Sequence, residues 1–129
     1  MAGYTLLNLA EVEDAAPRFG MAPAMEARFA RSELDADTLG LSLQRLAPDA
    51  RQPFGHRHRE QEEVYVVLDG SGRAKVDDKV IELRRHDALR VAPGTMRCFE
   101  AGPDGLEYVA FGAHPEGGDV EMEPGWWAE

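Results

Sequence analysis

Residues 53–70 read PFGHRHREQEEVYVVLDG, and this segment holds the densest set of groups able to do chemistry. His56 and His58 are two apart, so on a strand their imidazoles share one face while Arg57 and Arg59 point the other way. Glu63 has the opposite parity to His58, so one straight strand does not bring all three together. A turn through residues 59–62 solves this by starting a second strand at Glu63, whose side chain then faces the same interior, with Tyr65 and Val67 following it. Two imidazoles and one carboxylate converging from adjacent strands form a ligand set for a divalent transition metal, with positions left open for water or substrate. A histidine must be neutral to bind, and an ordinary pKa near 6.5 permits that at about pH 7. The same stretch also reads as a charged, solvated loop, and spacing alone leaves both readings standing.

The elements that must position these groups are short strands. Tyr4 to Leu9 is strand-like, and Asn8 followed by Glu11 has the form of a capping box, with Pro17 ending the short helical turn after it. Met25 to Ala30 and Thr38 to Leu46 alternate in the strand period. In the second of these, Leu39, Leu41 and Leu43 share one face, and Gly40, Ser42 and Gln44 the other, a parity that more often means solvent, while Gln44 reaches the pocket if that face is inward. Val64 to Leu68 is β-branched and aromatic, and Asp69-Gly70-Ser71-Gly72 is turn chemistry. Ala74 to Val76 pairs with Val80 to Leu83 across Asp77-Asp78. Ala88 to Val91, Met96 to Ala101 and Leu106 to Phe111 complete the series, the last two parted by residues 102–105. Strands about ten residues apart with no long helical period predict an all-β sandwich or barrel. The tail from Pro115 reads as irregular and acidic, with Trp126-Trp127 expected to anchor it, because two adjacent exposed indoles would form an apolar patch.

Composition narrows the function classes. The 129 residues suit one domain, with a core barrel over about 38–111, an N-terminal extension over 1–37 and the tail over 115–129. The formal net charge of −10 argues against a nucleic-acid surface and against docking on anionic lipid. One cysteine excludes an internal disulfide framework, and the N-terminus lacks the pattern of a signal peptide. A cytoplasmic setting is therefore expected. Arg51, Arg57, Arg59 and Arg97 gather near the chemical segment, so a locally positive mouth is expected despite the overall charge.

Residues 53–100 resemble a cupin. The first cupin motif is H-x-H, three or four residues, Glu, six residues and Gly; His56, His58, Glu63 and Gly70 match it with the four-residue gap. The second motif, often GD…PPGTPH, is similar to HDALRVAPGTMR at residues 86–97. Asp87, Pro93, Gly94 and Thr95 match, whereas His86 stands at the usual glycine, Ala92 at the first proline and Arg97 at the usual metal histidine. The resemblance implies a double-stranded β-helix, or jelly-roll barrel, with a site inside its mouth, and a homodimer with the N-terminal segment as a packing element.

Arg97 bears directly on the implied metal. A guanidinium offers donors and no lone pair, so it does not ligate. Placed about 5 Å from a dication, it repels it by roughly 6–7 kcal/mol at an effective dielectric of about 20. Either Fe, Mn, Ni or Zn is held on His56, His58 and Glu63 with Arg97 gripping an anionic substrate, or Arg97 pairs with Glu63 and the pocket takes no metal. Tyr65, Phe99 and Phe54 are candidate pocket walls beside Arg97. His86 and His114 are read as exposed or structural, and Cys98 as a packed small hydrophobe facing away from the site. Three functions remain open: an internal pocket for a small organic anion, a metal-dependent oxygenase or isomerase, and a packed structural homodimer without a cavity.

Overall fold

The computed structural model describes residues 3–115 and 117–128. Two long strands form its spine. β4 (Glu63–Val76) and β7 (Arg97–Ala113) pair antiparallel from Glu63↔Gly112 to Val76↔Arg97. The other strands attach to this ribbon: β1 (Met25–Phe29) on β2 (Leu39–Leu46), β2 on β7, β3 (Phe54–His58) on β7 and on β8 (Val120–Pro124). β5 (Lys79–Arg84) and β6 (Ala88–Val91) both pair with β4. The curled sheet is all-β, as the strand spacing predicts, and is the jelly-roll barrel that the cupin resemblance implies. Two 3-10 turns, Leu9–Glu11 and Ala16–Phe19, precede β1, and Asn8 caps the first by accepting from the Ala10 N–H. Among the described residues no helix is long and apolar enough to cross a membrane.

Four expectations are corrected. Tyr4 to Leu9 forms no strand. Residues 69–72 are a bulge inside β4, where the register with β7 shifts between Val67 and Asp69 and between Gly70 and Gly72. Gly70 has φ of 75°, and a side chain there would run into the Gly105 backbone, so the two strands close on each other only because the position is glycine. Glycine-rich turn chemistry and a glycine bulge look alike in sequence, and for the same reason residues 102–105 continue β7 instead of splitting it. The tail, read as irregular, contributes β8, which completes the sheet edge beside β3 through His56↔Met122 and His58↔Val120.

The core is built on three rings. Phe99 stacks on Tyr108 at 4.9 Å, and Tyr65 meets Phe99 at 4.7 Å and Tyr108 at 5.7 Å. Leu46, Val67, Ala74, Val91 and Leu106 close around them. Trp127 is 4% exposed, and Trp126 lies over Gly55, where any side chain would strike the indole. Arg51 and Arg73 stand over the Trp127 ring at 4.2 and 5.3 Å, Lys75 over the Trp126 ring at 4.5 Å, and Arg51 Nη1 donates to the Trp127 carbonyl. The tail is thus pinned to the outside of the barrel, as the paired tryptophans required.

Candidate functional site

The reversal between β3 and β4 does what parity demanded. β3 ends at His58, residues 59–62 turn, and β4 starts at Glu63. One ligand atom from each of His56, His58 and Glu63 lies within 4.8 Å of the others. His56 Nε2 is 3.7 Å and His58 Nε2 3.4 Å from Glu63 Oε1. The Tyr65 hydroxyl donates to Glu63 Oε1 and lies 3.4 Å from His56 Nε2. The two histidines and Glu63 open onto a cavity of about 400 Å³, walled also by Met25, Ala27, Phe54, Ala110 and Met122. A cavity of that size suits a small organic ligand, and it removes the reading of the barrel as a packed core only.

The electrostatics prepare a ligand set. Burial is the largest influence on His56 and holds it below its ordinary pKa, so the imidazole is neutral. Burial also opposes charge on Glu63, but its contacts with His56, His58 and the Tyr65 hydroxyl outweigh this and hold it far below the carboxylate range. For His58 burial again works against charge, and the hydrogen bonds to Glu63 and Asp119 prevail, raising its pKa.

Asp119 is the residue that sequence reasoning missed. Its Oδ1 lies 2.8 Å from His58 Nδ1, and its Oδ2 accepts from the Glu60 and Gln61 N–H groups at 2.7 and 2.8 Å. The carboxylate fixes a proton on Nδ1, so Nε2, beside Glu63, is the nitrogen whose lone pair a metal would take, the arrangement by which ligating histidines are oriented. Nothing in its local sequence marks it, since it stands among other tail acids. Its signal is spatial, and depends on β8 pairing with β3. His56 has no such support: its Nδ1 is buried without a partner.

The donor set therefore fits a divalent transition metal held by His56, His58 and Glu63. Arg97 stands directly opposite His56 in the β3–β7 register and is 0% exposed. It does not pair with Glu63: its Nε, Nη1 and Nη2 are all buried without a hydrogen-bond partner. Its guanidinium lies 5.9 Å from the Tyr65 ring centroid. Neither Arg97 nor Tyr65 nor Phe99 is on the cavity surface; Phe54 is. Tyr65 supports Glu63 from beneath, and Phe99 belongs to the aromatic core.

The remaining residues fall as follows. Arg51 pairs with Glu100 and Arg57 with Glu121 on the outer face, so the locally positive mouth expected from these arginines is not formed by them. His86 is exposed with φ of 77°, doing a turn job that glycine does more easily. His114 is exposed at the cavity rim. Cys98 is buried, with its thiol pushed up to about 11 chiefly by burial, which leaves it inert. Ser42 and Gln44, assigned to solvent by parity, face the cavity instead. Of the leucine face, Leu39 is exposed and Leu41 and Leu43 are half-buried, with Leu41 also reaching the cavity.

The comparisons agree with this architecture. Residues 42–109 match the family described as "Cupin domain". Of solved structures, a cupin protein from Bacteroides fragilis is 25% identical, with 88% of this chain and 86% of that chain covered and a TM-score of 0.72. A sugar phosphate isomerase of the cupin superfamily from Silicibacter pomeroyi is 18% identical over 86% of this chain and 76% of that chain, with a TM-score of 0.71. Salicylate 1,2-dioxygenase from Pseudoaminobacter salicylatoxidans is 16% identical over 84% of this chain but 32% of that chain, with a TM-score of 0.68. No curated protein matches. A barrel of this topology, an H-x-H pair and glutamate meeting at its mouth, and a family match over more than half its length make this chain a member of the cupin family.

Proposed function

We propose that this protein holds one divalent transition metal on His56, His58 and Glu63 and binds a small organic anion beside it. The observation that carries the reading is the convergence of three ligand atoms within 4.8 Å at a cavity of about 400 Å³. The metal would act there as a Lewis acid with coordination positions left open to the ligand. His58 is held in the ligating tautomer by Asp119, and Tyr65 fixes one oxygen of Glu63. The anionic character rests on Arg97. A buried cation without acceptors is costly, and an anion seated near the histidines supplies the missing counter-charge. Its fixed positive charge also offsets that of Glu63, which weakens the hold on a dication and favours an anionic co-ligand. Because Arg97 is walled off from the cavity, its contact with the ligand is through the field unless the Tyr65 ring moves. Likeness to an isomerase and a dioxygenase supports no choice between their chemistries.

The test is elemental analysis after dialysis against Fe, Mn, Ni and Zn separately, for the native chain and for His56→Ala. About one equivalent of one metal in the native protein, lost in the variant, is expected. Only trace metal in the native protein after every reconstitution overturns the metal and leaves the anion pocket to stand on Arg97.

A further inference from the structure

The cavity has a second polar wall, built from β2 rather than from β3 and β4. The Phe99 N–H donates to Gln52 Oε1 at 2.9 Å, which fixes the Gln52 amide with its oxygen toward the backbone. Gln52 Nε2 must then donate, and it does, to the Tyr108 hydroxyl at 3.2 Å. That hydroxyl in turn donates to Gln44 Oε1 at 3.1 Å, so Gln44 also has one orientation, and its Nε2 donates to Ser42 Oγ at 3.0 Å. The Gln52 orientation is forced, because an amide nitrogen has only donors and a backbone N–H is never an acceptor, and the Tyr108 and Gln44 bonds continue in the same sense. The relay therefore runs one way and leaves its surplus at the far end. The Ser42 hydroxyl proton has no acceptor among the described residues, and Gln44 keeps one N–H beyond its bond to Ser42. Both residues line the cavity, and Ser42 is buried. Two donors with no acceptor, on a wall otherwise flanked by Met25, Ala27 and Ala110, select for an oxygen that brings lone pairs.

We propose that Ser42 and Gln44 form a donor subsite that selects ligands carrying an acceptor oxygen (a carbonyl, ether or carboxylate) on an apolar body. The inference rests on the reading that the cavity takes a small organic ligand, and it adds which chemistry that ligand shows to β2.

Two shape-matched probe pairs test it by isothermal titration: 4-methoxybenzoate against 4-ethylbenzoate, and the neutral pair anisole against ethylbenzene. Each pair exchanges an ether oxygen for a methylene. The native protein is expected to prefer the ether member about five- to tenfold, the worth of one hydrogen bond. Ser42→Ala removes the hydroxyl donor. Gln44→Glu keeps an acceptor for Tyr108 but turns the Ser42 proton onto the new carboxylate, so the donor is withdrawn from the ligand. The preference is expected to shrink in Ser42→Ala, where the Gln44 N–H groups remain, and to fall within about twofold in Gln44→Glu, where ethylbenzene binds as before and the new carboxylate weakens both benzoates alike. Equal affinity within both pairs in the native protein, or a preference that survives both substitutions, overturns the subsite. A preference seen only in the neutral pair supports the subsite while refuting the anion reading. No binding by any of the four probes overturns both, and the metal content measured separately is untouched by either result.

Discussion

Replacing Asp119 by asparagine changes one atom and inverts one hydrogen bond. The two backbone donors, Glu60 N–H and Gln61 N–H, lie on Oδ2, and His58 Nδ1 lies on Oδ1. The amide in Asp119→Asn keeps its oxygen on the two N–H groups and presents its NH₂ to His58. Nδ1 must then accept, so the ring proton moves to Nε2, the atom that faces Glu63. A metal would have to displace that proton and leave Nδ1 facing a donor. Loss of an orienting carboxylate of this kind costs about 10–100-fold in metal affinity. The same range follows from a charge-assisted hydrogen bond worth about 1.5–3 kcal/mol. The assay is a competitive titration of zinc or cobalt against a chelator, with thermal unfolding of the metal-free protein as the control. Because both backbone bonds survive, the metal-free variant is expected to unfold within a few degrees of the native chain. Asp119→Ala, which strands both N–H groups, should lose stability as well, by about 2–4 kcal/mol. A normally folded Asp119→Asn protein that binds metal as tightly as the native one refutes the tautomer argument.

Arg97→Gln removes a buried charge beside the histidines and should tighten metal binding by at least tenfold while weakening 4-methoxybenzoate; metal affinity unchanged in the same titration speaks against the repulsion. Gly55→Val pushes the Trp126 indole off the barrel and should shift tryptophan fluorescence to the red and lower the unfolding temperature, and an unaltered emission spectrum contradicts the packing. Burial opposes ionisation of Glu100, but hydrogen bonds from Arg73 and Arg51 outweigh it and keep it below its ordinary value of 4.5. A depressed carboxylate stabilises the fold above its unfolded pKa and loses that contribution as pH falls, so unfolding temperature should drop below about pH 4.5, and less steeply in Glu100→Gln. Tyr4 and Leu6 are 79% and 89% exposed, and a homodimer that covers them is expected in sedimentation; a 14.2 kDa monomer at all concentrations rejects it.

The metal-ligand geometry was readable because it depends on local parity: two histidines two apart, a four-residue gap and a strand restarting at Glu63. Arg97 in place of a histidine was equally plain, though its lack of any partner was not. Side-chain parity failed on β2, where Ser42 and Gln44 line the cavity while Leu39 is exposed. The usual rule supposes that the inner face is dry and packed, whereas a barrel wall that borders a ligand cavity can carry hydrogen-bonding groups. Asp119 was hidden for a different reason. Acidic residues in a tail carry no period, and only the tertiary pairing of β8 with β3 brings one of them to His58.

The position of Asp119 along the chain also bears on how the protein is made. His56, His58 and Glu63 leave the ribosome well before residues 119–127, so the barrel has its ligands before it has the carboxylate that sets one of them or the tryptophans that clamp the tail. Domains generally fold in the order of synthesis. A nascent barrel stalled before β8 would present His58 with both tautomers free. Orientation of His58 thus waits on β8, and a fusion or truncation that disturbs this strand would act at the candidate metal ligands although it lies at the sheet edge.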